Sequence, residues 1–163
     1  MTVTIVRKDP AALTMSIATE LDASPERVWQ LWADPRKLER WWGPPTYPAT
    51  VVEHDLRPGG KVSYFMTGPE GEQHHGWWNV VGVEEPNRLD LEDGFADTDG
   101  NPDDAMPTMQ FSVTFAELPG GATRMLIETR FPSREAMEQV ISLGMEEGLA
   151  GAMGQIDAIL ATG

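Results

Sequence analysis

The chain has 163 residues, 12 Lys and Arg against 26 Asp and Glu, a net charge of −14 and no cysteine. That length suits one domain with its own core. The missing thiols exclude a disulfide framework, a cysteine nucleophile and thiolate metal ligands, while the acidity argues against nucleic acid or an anionic membrane as partner.

No apolar run approaches the ~18 residues of a membrane span, and the first residues lack the apolar core of a signal peptide, so a soluble cytoplasmic domain is expected. Residues 1–12 are read as an N-terminal tail and about 13–161 as the core of a single domain spanning 1–163. Leu13 to Leu21 alternates, with Leu13, Met15, Ile17 and Leu21 on one face, which marks a half-buried strand. Ser24-Pro25-Glu26 supplies an N-cap hydroxyl, a proline at the first helical position and an acid in the first turn. Asp34-Pro35 repeats that signal, so a second short helix runs to about Trp41, where Gly43-Pro44-Pro45 forbids continuation.

From residue 49 to 131 the chain reads as strands separated by turns: 49–55, 61–67, 74–84, 88–92, 108–118 and 123–131. The connections are too short for crossover helices, so the sheet is an antiparallel meander of about seven strands with one wet face. Pro132-Ser133 then opens a helix in which Met137, Ile141, Met145, Leu149, Met153, Ile156 and Leu160 recur at spacings of three and four. The predicted architecture is α+β: a curved antiparallel sheet wrapped around a long C-terminal helix, with two short helices after the first strand.

Gly144, Gly148, Gly151 and Gly154 interrupt that last helix, each costing up to about 1 kcal/mol against alanine. Either backbone approaches closely there or free volume is left between helix and sheet. A cavity walled by Met, Trp and Phe would suit an apolar small molecule. In Trp77-Trp78, neighbours on a strand, one member must face outward.

Evidence for catalysis is thin. His54, His74 and His75 make no ligand spacing of the HExxH kind, and sequence singles out no general base among the carboxylates. Asp97-x-Asp99-x-Asn101 starts like a calcium loop, but Pro102 and Thr108 stand where glycine and glutamate are required. The stretch from Leu89 to Thr123, free of Lys and Arg, reads as a solvated acidic region. No metal and no cofactor are expected.

Ala23-Ser24-Pro25-Glu26-Arg27-Val28-Trp29 followed by Trp41-Trp42-Gly43-Pro44 resembles the opening of the START-like (SRPBCC, Bet v-type helix-grip) superfamily. Asp55-Leu56-Arg57-Pro58-Gly59-Gly60-Lys61 and Gly144-Met145-x-x-Gly148 narrow the resemblance to bacterial proteins similar to the C-terminal domain of the activator of heat-shock-protein-90 ATPase. The resemblance implies a hydrophobic cavity between sheet and last helix, used across the superfamily for lipids, hormones, polyketides or aromatic compounds. Some members are cyclases or hydrolases, and no universal catalytic residue is carried over. The additional N-terminal domain of the eukaryotic co-chaperone is missing, which argues against a chaperone partner.

The expected function is therefore binding of a small hydrophobic ligand. Met137, Ile141, Met145, Leu149 and Met153 are expected to bound the cavity from the helix, and Trp41 and Trp42 to stand near its entrance. Phe65, Met109, Phe111, Val113, Met125 and Ile127 are placed on the concave face. Tyr64, Arg130 and His54 are candidates to orient a ligand. An enzyme of the cyclase or hydrolase type, a chaperone-interacting protein and a homodimer through exposed aromatic or sheet-edge surface are the alternatives.

Overall fold

The computed structural model describes residues 3–162; Met1, Thr2 and Gly163, which the predicted tail and domain include, lie outside the described residues. Two strands, β1 (Val3–Asp9) and β2 (Thr14–Leu21), come first. They are followed by α1 (Pro25–Ala33) and α2 (Pro35–Trp41). Six strands succeed them: β3 (Ala49–His54), β4 (Lys61–Thr67), β5 (Gln73–Glu84), β6 (Arg88–Ala96), β7 (Met109–Glu117) and β8 (Thr123–Arg130). The chain closes with α3 (Arg134–Ser142), α4 (Met145–Met153) and α5 (Ile156–Ala161).

All strands form one antiparallel sheet in the order β1-β2-β8-β7-β6-β5-β4-β3. The helices cover its concave face, which makes this an α+β helix-grip fold. The start signals act as their chemistry requires. Ser24 Oγ accepts from Arg27 N at 3.3 Å, Asp34 Oδ1 from Arg36 N at 2.9 Å and Ser133 Oγ from Ala136 N at 3.1 Å. Each satisfies a backbone donor that the first helical turn leaves unpaired.

Three features depart from the sequence reading. Residues 3–9 are a strand rather than part of a tail, paired from Asp9↔Thr14 to Val3↔Thr19, so the sheet has eight strands instead of about seven. Its alternation is blurred because Ile5 and Val6, adjacent in sequence, are 47% and 40% exposed; pairing with β2 defines it, not burial. Second, β6 does not stop at Glu92 but runs to Ala96, carried along the long β5 by pairs up to His75↔Ala96. Third, the C-terminal helical layer is broken into three helices. Gly144 takes φ of +95°, a left-handed conformation open to glycine at little cost, and a second break falls at Gly154-Gln155.

The other helix glycines bear on the two explanations offered for them. A Cβ on Gly151 would meet Pro44 and Pro45 at 3.6 and 3.8 Å, ordinary van der Waals contact that does not require glycine. One on Gly148 would meet nothing within 4 Å, which is free volume. Gly148→Ala is therefore expected to stabilise the protein by roughly 0.5–1 kcal/mol through helix propensity alone. Gly144→Ala should destabilise it by about 1 kcal/mol or more, because alanine is strained at positive φ. Urea denaturation of the two variants checks both signs.

Candidate functional site

A cavity of about 590 Å³ lies between the sheet and the junction of α3 with α4, within the roughly 300–1,000 Å³ usual for small-molecule sites. Its sheet wall comes from alternate residues of four strands: Met66 of β4, His74 of β5, Asp93 and Phe95 of β6, Met109 and Phe111 of β7. The opposite wall is Val140 of α3, then Leu143 and Gly144 at the break, then Met145, Glu147, Gly148 and Leu149 of α4. The loop after α2 closes one side with Trp42, Pro44, Thr46 and Tyr47. Thr46, Leu143 and Glu147 are exposed and form the rim, while Trp42, Asp93, Met109, Phe111 and Leu149 are buried.

The break at Gly144 and the bare backbone of Gly148 create this space. A continuous helix with side chains at both positions would lie differently against the strands and fill part of it.

Below the cavity is an aromatic bed. The Trp42 ring stands edge to face against Trp78 at 4.9 Å, Tyr64 at 5.9 Å and Phe111 at 6.3 Å. The fully buried Trp32 lies behind it, 5.9 Å from Trp42 and 5.7 Å from Trp78. Gly76 on β5 faces Tyr64 across the sheet, and any Cβ there would collide with the phenol.

One ionisable group is set into this apolar surface. Asp93 is only 8% exposed, and its Oδ1 has no hydrogen-bond partner among the described residues. Burial pushes its carboxyl up to about 7, while the Trp78 indole N–H acts in the opposite sense. That N–H is near enough to favour the charged form without making a formed hydrogen bond, since Trp78 Nε1 is also unpartnered. The Tyr64 hydroxyl is driven up strongly, first by burial and then by the Asp93 charge, so it stays protonated. Trp42 Nε1 is a second buried indole donor without an acceptor among the described residues. A neutral or proton-exchanging acid, a phenol and two indole N–H groups thus cluster beside a mostly apolar space.

Among the thirteen residues expected around a cavity, Trp42, Met109, Phe111, Met145 and Leu149 line this one. Trp42 does so from the floor, not the entrance. Trp41 is packed between the short helices, its Nε1 donating to Leu31 O at 2.9 Å. Phe65 is on the opposite face of β4, where it stacks against His75 at 5.2 Å. The burial of Val62 and Tyr64 fixes that parity, and period two sends Phe65 outward. Val113, Met125 and Ile127 are fully buried or nearly so further along the sheet, under other side chains. Met137 and Met153 are buried in the core and do not line the cavity, and Ile141 packs against the core without lining it.

Of the polar candidates, Tyr64 stands beside Asp93. His54 is tied by Nε2 to Trp32 O at 2.9 Å, and Arg130 is an exposed side chain on the outer face. Trp78 is the inward member of its doublet; Trp77 lies outside, over Gly94, and donates to Phe95 O at 2.9 Å. The Asp97 carboxylate accepts from Asp99 N and Asn101 N, both at 2.9 Å, and so caps its own turn.

Asp93 escaped the sequence reading, although its signal was present. Leu89, Leu91, Asp93 and Phe95 alternate on one face, but ending the strand at Glu92 leaves Asp93 in the acidic loop.

The family described as Activator of Hsp90 ATPase homolog 1-like protein matches residues 22–161. A crystal structure of a protein from Mycobacterium smegmatis is 49% identical, with 97% of this chain and 96% of that one covered and a TM-score of 0.90. A solution structure of a protein from Arthrobacter aurescens is 47% identical over 99% of this chain and 94% of that one, with a TM-score of 0.94. A more distant protein from Silicibacter pomeroyi, 23% identical over 91% and 98% of the two chains with a TM-score of 0.72, shares the fold. Comparison with curated proteins finds no match. No helix among the described residues is long and apolar enough to cross a membrane.

Proposed function

The chain belongs to the Activator of Hsp90 ATPase homolog 1-like family, and from that premise we propose that it binds a small hydrophobic molecule between its sheet and α4. The observation that carries this reading is the cavity of about 590 Å³, open at the Leu143 rim and floored by Trp42 and Phe111. Burying an apolar ligand there is favourable by about 25 cal/mol per Å² before ordering costs. The polar cluster at Asp93 and Tyr64 would orient one end of the molecule, as the few polar groups of such sites do. The activity in the family's description concerns a partner protein; the binding proposed here concerns the cavity.

Native mass spectrometry of protein purified from its own host tests the reading. A co-purifying small molecule is the expected result, and an empty chain that also takes up no aromatic probe would sink it. Leu149→Trp gives a sharper version. The larger indole should fill the space beneath α4 and weaken probe binding at least about tenfold. The melting midpoint should move only by a few degrees, about what 1 kcal/mol produces in a domain of this size.

A second reading, an enzyme of the cyclase or hydrolase type, is favoured by Asp93 itself. A carboxyl at about 7 is matched to proton transfer near neutral pH. Recovery of the bound molecule chemically unchanged after prolonged incubation with the protein would exclude turnover.

A further inference from the structure

We propose that this cavity selects a cationic ligand: a hydrophobic amine whose ammonium sits against Asp93 and whose apolar body lies under α4. The inference rests on the ligand-binding reading above and names the chemistry of the ligand's polar end.

Three observations carry it. Asp93 lines the cavity, is more than nine-tenths buried, and leaves Oδ1 without a partner. A buried carboxylate in that state is costly until an opposite charge or a donor reaches it. Next, among the described residues lining the cavity there is no Lys or Arg. The charged groups facing the space are Asp93 from β6 and Glu147 from α4, with His74 from β5 the one basic side chain and the Tyr64 phenol behind the wall. Finally, Trp42 and Phe111 form the adjacent floor, and aromatic surfaces attract ammonium groups through their quadrupoles.

The lack of a cation has a direct consequence for fatty acids and other anionic amphiphiles. Their headgroup beside Asp93 would meet no Lys or Arg among the described lining residues, with neutral donors and His74 alone to receive it, and two carboxylates sharing a site cannot both remain charged without mutual cost. An ammonium removes that conflict and offsets the charge of Asp93. The overall charge of −14 acts in the same direction at long range, raising the local concentration of cations.

Three probes with one hydrophobic body test the proposal: naphthylethylamine, naphthylethanol and naphthylacetate, each titrated calorimetrically into the full chain slightly above neutral pH. The amine is expected to bind at least about tenfold tighter than the alcohol, and the carboxylate weakest. Asp93→Asn should cut amine affinity at least about tenfold and erase its lead over the alcohol. Equal affinities, or a preference for the carboxylate, would overturn selection of a cation while leaving the cavity as a binding site. Persistence of the amine's lead in Asp93→Asn would also overturn it. If none of the three binds, the cavity reading falls with it. The order of the probes on the unaltered protein decides the matter even if the variant fails to fold.

Discussion

Asp93→Asn is expected to gain stability over the parent chain as pH rises, by up to about 4 kcal/mol between about pH 4 and about pH 8. The carboxyl titrates at about 7 in the folded protein and near ~3.9 in an unfolded chain. Below the lower value both states hold the proton, so Asp93 contributes nothing to pH dependence. Between the two values unfolding releases a proton, and the stability of the parent chain falls as pH rises, by at most ~1.4 kcal/mol per pH unit. Above about 7 both states are ionised and the loss is complete.

Asparagine has nearly the shape of the protonated acid and does not titrate, so the two proteins should be close in stability near the lower end of the range. Every other titrating group is common to both and drops out of the difference, including Asp90, where desolvation is the largest single influence but the Arg88 and Ser112 hydrogen bonds and the Arg88 charge together outweigh it and lower the carboxyl. Urea denaturation of both proteins across the pH range measures the growing gap. A constant gap would mean that Asp93 is solvated or paired in solution, and the basis for cation selection would go with it.

Trp32→Ala is expected to cost about 3–5 kcal/mol, a large share of the 5–15 kcal/mol that holds a typical domain together. The ring is fully buried and lies 5.0 Å from Trp41, 5.9 Å from Trp42 and 5.7 Å from Trp78. Its Nε1 donates to Met125 Sδ at 3.4 Å, and Trp29 packs nearby on Phe115 at 5.5 Å. Removing it leaves a void among three other indoles that cannot close without moving the strands. Because Trp42 is the cavity floor and rests on Trp32, probe binding should weaken along with stability. Trp32→Phe, which keeps an aromatic ring in place, should lose markedly less of both. A loss below about 1.5 kcal/mol in Trp32→Ala would show that the cluster repacks freely.

Much of this could be read from the chain. Ser24-Pro25, Asp34-Pro35 and Ser133 announce their helices because a capping side chain and a fixed φ act within a few residues. The strands β7 and β8 announce themselves because one face is buried and the other wet along their whole length. Where both faces of a strand carry apolar residues, as in Val62-Ser63-Tyr64-Phe65-Met66, alternation does not choose between them. The neighbouring strand does: Tyr64 lies opposite Gly76, one inward step from Trp78. Phe65 was assigned to the wrong face for that reason, and Tyr64, one residue away, is the side chain that reaches the polar cluster.

The sequence by itself determined the element order from β2 to α3, the starts of the first three helices, the two-faced sheet and the family to which the chain belongs, because each depends on patterns a few residues long. The tertiary structure alone decided how far β6 runs, and with it whether Asp93 is a solvated acid or a buried one. Strand length is set by pairing with β5, and the charge state of a carboxyl by the water that its neighbours exclude. Both are properties of residues distant in the chain, and the candidate site depends on both.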